Sequence, residues 1–404
     1  MNKNKKILSW ISLSALVLTA LFLRLYKIDE IPAGIYPDEA VNGTDAIGAI
    51  ESGNYRLFYT NNYGREGLFM NLISVSIRIF GNTALGLKFW SILFGTLMVL
   101  GVFLLTREIF RSWRSGFIAA FMLAFSFWAI NFSRISFRAI MVPFILTYAF
   151  YFLFRGLRTN YYFNYILAGL FFGLGFHTYI AFRLAPAVLV VFLVALIISR
   201  KNFLREHWKA VLVFFSSVLI AMSPMIYDFI KHPEHFESRS TAISVLSPEV
   251  NHGHLLTTFA KSLALSLVKY NFYGDQNWRH NYPPYPILNP LVGIAFLIGL
   301  IYITAKTFHL LYLRFKHKIY DDKLFIYLLL LGWFFVMLAP EFLTAEGLPH
   351  ALRSIGTMPV VFIIAAIPVL WILGETQKKS WIFKYSVISL LILSFTTIAV
   401  SFKR

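Results

Sequence analysis

Residues 35 to 41 read IYPDEAV and set two carboxylates, Asp38 and Glu39, side by side about a dozen positions after an apolar run. A carboxylate at a membrane surface can accept a proton from an incoming hydroxyl or amine. Arg134, Arg138, Arg183 and Arg353 stand at the ends of other apolar runs, where a charge is costly and by default faces a cavity, a partner or the interface. None has an obvious acidic neighbour in its own turn. The planar guanidinium binds phosphate oxygens through paired hydrogen bonds and keeps its charge, so the four predict a pocket for a phosphate. Carboxylates facing an arginine-held phosphate fit transfer of a group off a lipid phosphate, the phosphate leaving with its charge stabilised. Each residue also has a plainer role: an Asp-Glu pair after Pro37 starts a helix, and a lone arginine anchors at headgroups.

The same pocket draws further candidates for substrate binding: Arg65 and Glu66 in GREGLF, Asp275, Arg279 and His280 in GDQNWRHN, Glu346 and His350 in TAEGLPHALR, and His177. His177, His280 and His350 lie near Arg183, Arg279 and Arg353, where an imidazole can bond phosphate or sugar hydroxyls. His232 and His235, and His252 and His254, are spaced closely enough to ligate zinc. Ligating histidines also need partners that hold their rings, which sequence does not display, so no metal is assigned to them.

These residues need a frame. Of 404 residues, 58% are hydrophobic and 14% charged, a balance that leaves too little polar surface for a soluble domain. Apolar runs able to cross a membrane fall at about 7–25, 84–106, 115–131, 139–157, 162–178, 183–199, 209–230, 287–305, 324–340, 350–372 and 382–401. The expected fold is therefore an all-α polytopic membrane protein with about eleven transmembrane helices in one domain, 1–404. The net charge of +18 is spread over short loops, which argues for membrane topology and against nucleic acid. Basic loops such as REIFRSWR, RGLR and SRKNFLREHWK are expected in the cytoplasm, so the loops at about 26–83 and 231–286, with every candidate above, face outward. LFMNLISVSIRIFG and a stretch near 255–270 read as surface helices. Without cysteine there is no disulfide, thiol nucleophile or thiolate metal site.

The Asp-Glu pair in the first outward loop, GLKFWSILFGTLMVLG, FSRISFRAIMVPF, and later GDQNWRHN and GLPHALRSIGTMPVVF together resemble membrane glycosyltransferases of the protein O-mannosyltransferase and aminoarabinose transferase type. That resemblance implies a GT-C type fold, a polyprenyl-phosphate sugar donor, an inverting reaction and an extracytoplasmic active site. It maps the catalytic base to Asp38 and a supporting carboxylate to Glu39. The acceptor, whether lipid, glycan or protein, stays open. GREGLF departs from the family, many of whose members carry a Pro-Pro pair there; Glu66 is expected to orient the acceptor or pair with Arg65. No cofactor is expected, and the missing Asp-x-Asp arrangement argues against metal-dependent chemistry while leaving a divalent metal open. The alternative is a transporter or flippase of a lipid-linked anion, which would place ionisable residues near the midplane of broken helices rather than at one face.

Overall fold

A computed structural model of the chain describes residues 3–236 and 244–376. The helices are α1 Lys3–Leu25, α2 Pro37–Ser52, α3 Leu68–Phe80, α4 Ala84–Phe110, α5 Trp113–Ala124, α6 Phe127–Arg134, α7 Met141–Thr159, α8 Tyr162–Leu174, α9 Ala185–Ser199, α10 Phe203–Lys231, α11 Pro248–Asn251, α12 Leu255–Val268, α13 Pro290–Lys316, α14 Asp322–Phe342 and α15 Met358–Thr376. Two short strands, β1 Phe58–Tyr59 and β2 Arg65–Glu66, pair antiparallel between α2 and α3.

Eight of these helices are long and apolar enough to cross a membrane, nine if α5 and α6, bent by 59° at their junction, form one span. The count of eleven is not reached among the described residues, for two reasons. The run at 162–178 ends early, because α8 stops at Leu174 and the chain turns through the 3-10 segment Gly175–His177. The run at 382–401 lies outside the described residues. Both stretches read as surface helices do form short apolar helices, α3 and α12.

Outward faces of the long helices are apolar, as lipid requires: Leu8, Ile11, Leu18 and Phe22 on α1 and Leu212, Leu219 and Ile220 on α10 are exposed. α15 runs through the middle, with Val360 to Ala366 all buried. Around it the core is aromatic: Phe150 packs on Trp333 with ring centroids 4.6 Å apart, and Phe154 on Phe325 at 5.3 Å. The indole of Trp333 donates to the Gly356 carbonyl, 2.9 Å away, so its polar edge is also satisfied.

Two glycines set how closely the elements bearing the polar residues approach. A Cβ on Gly95 of α4 would stand 2.0 Å from the Ser133 hydroxyl and 3.2 Å from Arg24 Nε, so only glycine lets α4 meet α1 and α6 there. A Cβ on Gly67, directly after Glu66, would lie 2.1 Å from the Arg56 carbonyl oxygen. The Gly67 amide instead bonds the Leu57 carbonyl at 2.7 Å and closes the hairpin that carries Arg65 and Glu66.

Candidate active site

The polar residues gather where the C-terminal ends of α1, α6, α10 and α14 meet the N-terminal ends of α4, α7 and α15, with α2, α3, the hairpin and the segment after α12 covering them. α2 begins at Pro37, whose fixed φ suits a first helical position, with Asp38 and Glu39 in its first turn, where negative charge is favoured. The helix-start role and an exposed position for Asp38 therefore coexist.

The two neighbouring carboxylates meet opposite surroundings. Asp38 is 37% exposed; its Oδ1 accepts from Asn62 Nδ2 at 2.8 Å and its Oδ2 pairs with Arg279, whose guanidinium lies 4.7 Å from the Tyr36 ring centroid. Glu39 is fully buried, 3.9 Å from Lys88 Nζ, and no properly aligned donor reaches either oxygen. Burial pushes the Glu39 carboxyl up, against the pull of Lys88 and of the Ser136 and Tyr36 backbone amides nearby. One carboxylate is accessible and oriented, the other sealed and short of partners.

The hairpin sends Arg65 and Glu66 to different partners, so of the two roles expected for Glu66, pairing with Arg65 is the one the structure does not show. Arg65 pairs with Asp45 of α2, and Asn61 Nδ2 donates to the same carboxylate at 2.9 Å. Glu66, also buried, receives Arg138 at 3.2 Å and Arg183 at 3.4 Å. Arg138 and Arg183 thus lack an acid only in their own turns; a distant hairpin supplies it. They are 16% and 19% exposed, rest on the rings of Tyr179 and of Phe229 and Phe236, and remain reachable from outside.

Arg134 is a correction. Its guanidinium bonds the carbonyls of Leu23 at 2.8 Å, Ile31 at 2.7 Å and Lys27 at 3.2 Å, capping the end of α1 instead of facing a pocket. Arg353 pairs with Glu346, through its carboxylate at 3.6 Å and its carbonyl, so the acid lies in its own loop. His177 lies against the Ala221 carbonyl at 2.9 Å. Asp275 is buried, and its Oδ2 accepts from His280 Nδ1 at 3.0 Å and from the Ala351 amide at 2.7 Å. The His350 ring lies near that of His280, centroids 4.8 Å apart and planes tilted by 43°, and its amide donates to Glu341 Oε1 at 2.9 Å.

Several participants were not singled out from the sequence. Lys88 in GLKFW gave a usable signal, being a lysine inside an apolar span. The fully buried pair Lys269–Glu341 bridges the end of α12 to α14. Asn62 sits in a tight turn, with φ of 51° at Asn62 and 64° at Tyr63, and that turn aims its amide at Asp38.

Residues 68–227 match the family model described as dolichyl-phosphate-mannose-protein mannosyltransferase. No curated protein matches the chain in sequence. In structure the chain is similar to the oligosaccharyltransferase AglB of Archaeoglobus fulgidus in complex with an inhibitory peptide and a dolichol-phosphate, with TM-score 0.62 and 16% identity over 98% of this chain and 55% of that one. It is also similar to ArnT of Cupriavidus metallidurans bound to undecaprenyl phosphate, with TM-score 0.55 and 15% identity over 89% of this chain and 59% of that one. The chain thus spans little more than half the length of either. It is a multi-pass membrane protein with the GT-C type glycosyltransferase fold, and its residues 68–227 carry the sequence pattern of the mannosyltransferase family.

Proposed function

We propose that the protein is a glycosyltransferase that moves a hexosyl or pentosyl group from a polyprenyl-phosphate donor to an acceptor, with inversion, at the extracytoplasmic membrane face. The observation that carries this reading is Asp38: an accessible carboxylate oriented on both oxygens, at the same end of the bundle as two arginines that already converge on one anionic group. Asp38 takes the proton of the acceptor hydroxyl or amine as the acceptor atom bonds to the anomeric carbon. The bond from that carbon to the phosphate oxygen breaks with its electron pair, and polyprenyl phosphate leaves. Arg138 and Arg183 hold the departing charge, which grows as the bond breaks and is worth more in a site that excludes water. Arg279 keeps Asp38 turned toward the acceptor.

The assigned face is supported by charge: the opposite end of the bundle bears Arg111, Arg114, Arg155, Arg158, Lys201 and Arg205, the bias expected of cytoplasmic loops. Support for the donor class comes from the polyprenyl phosphates held by ArnT and AglB. The test is to incubate purified protein in detergent with a panel of radiolabelled polyprenyl-phosphate sugars and a membrane extract. Consumption of one donor with release of polyprenyl phosphate is expected. Movement of intact donor across a vesicle membrane with its sugar bond unbroken would replace this reading with transport.

A further inference from the structure

We propose that Asp275, His280 and His350 form a binding site for a divalent transition-metal cation of the zinc type. Each side chain offers one donor atom, and the three atoms lie within 4.8 Å of one another. Two imidazoles and a carboxylate suit zinc, and three protein ligands leave a fourth position for water or an incoming oxygen. The residues come from two segments far apart in sequence, the loop after α12 and the turn before α15, so helical periodicity does not account for their meeting.

The surroundings are those of a built site. Asp275 is 1% exposed and fixed by three donors: the Asn277 amide on Oδ1 at 2.8 Å, and the Ala351 amide and His280 on Oδ2. His280 is held between the rings of Phe132 and Phe137. Such outer contacts orient ligands before a metal arrives. His350 supplies the independent sign, since its Nδ1 is buried and has no hydrogen-bond partner among the described residues. A buried imidazole nitrogen left unpaired is unfavourable, and a cation would satisfy it. Arg353, Lys269 and Arg279 are the cations whose charge reaches His350. Those three cations do not present bare charge to an arriving metal, because Arg353 pairs with Glu346, Lys269 with Glu341 and Arg279 with Asp38.

A metal here would lock the 275–280 loop to the turn at 350 and so fix Arg279, the partner of Asp38. A second group, His232, Glu234 and His235, also lies within ligating distance but is largely exposed. It is the competitor that a test must separate, and the absence of cysteine removes thiols as another.

The experiment uses the full chain in detergent with an affinity tag free of histidine, stripped with chelator and titrated with zinc alone. Zinc content by mass spectrometry, zinc affinity by calorimetry and thermal unfolding with and without zinc are the readouts. Wild type should retain zinc through gel filtration and gain thermal stability from it. His350→Gln should weaken zinc at least about tenfold and lose the thermal gain, while His232→Ala with His235→Ala should keep both. Asp275→Asn gives a second route to the same loss, and the zinc-free unfolding temperature of each variant reports whether it folds. Wild type that takes up no zinc, wild-type affinity in a folded His350→Gln protein, or binding abolished only by the His232 and His235 changes would each overturn the site.

Discussion

At the end of the bundle where α4 meets α7 and α9 meets α14, ion pairs stand in the open: Arg158–Glu108 is 36% and 12% exposed, Arg200–Asp322 34% and 66%. At the other end Lys269–Glu341 is 0% exposed on both sides and Arg65–Asp45 only 2% and 8%. An exposed pair is held loosely and screened by salt, whereas a sealed pair leaves an uncompensated charge behind when one member goes. The open end reads as topology, with cations meeting water and headgroups. The sealed end reads as machinery, because burying that much charge is worth its cost only where fixed geometry is needed, and within it Asp38, Arg138 and Arg183 combine accessibility with imposed orientation.

The comparison breaks most readily at its most buried pair. Lys269→Met should cost about 3 to 5 kcal/mol, seen as a lower unfolding temperature in detergent, and adding Glu341→Leu should recover much of it. A loss no larger than that of an exposed pair would erase the difference between the two ends.

Next in size is Lys88→Met, with about 1 to 3 kcal/mol expected for a buried group left without its partner. Its sign depends on pH. A carboxyl raised on folding contributes stability that is present below its ordinary value of 4.5 and lost as pH rises through the folded value. Removing the lysine raises the Glu39 carboxyl further, so the deficit should be full at neutral pH and shrink as pH falls toward that value. Adding Glu39→Gln should remove the pH dependence. A deficit that grows toward acid would mean that Glu39 is held by something other than Lys88.

Arg138→Ala and Arg183→Ala sharpen the comparison in function. Loss of a charge-assisted hydrogen bond, about 1.5 to 3 kcal/mol, should weaken donor binding roughly tenfold or more, measured by displacement of a labelled polyprenyl phosphate. Arg134→Ala should instead lower thermal stability, since its bonds go to the end of α1. The smallest effect belongs to the open end, where Arg200→Ala should cost less than about 1 kcal/mol.

Much of this division is visible in the sequence, though not its wiring. The spans, the surface helices α3 and α12 and the special place of Asp38 follow from apolar run length and from charge beside it, which are local properties. The arginine partners of Glu66 lie 72 and 117 residues away and the arginine partner of Asp38 lies 241 away, so they depend on how the helices pack. Arg134 shows the limit well: in sequence it is indistinguishable from Arg138, and only the carbonyls at the end of α1 divert it. Glu39 differs from Asp38 for a similarly simple reason, since adjacent residues on a helix point about 100° apart and only one of them meets the interior.

The central claim is that Asp38 takes the acceptor's proton. Asp38→Asn keeps the shape of the side chain and an oxygen for one of its two partners, and loss of its charge in the first turn should cost the helix only about 0.3 to 1 kcal/mol. General-base catalysis contributes about 10²- to 10⁴-fold, so turnover in single-turnover assays should fall by at least about two orders of magnitude while donor affinity stays within a few-fold of wild type. A folded Asp38→Asn protein that binds donor and turns over at a near-normal rate would contradict the account and leave residues 37–40 as an ordinary helix start.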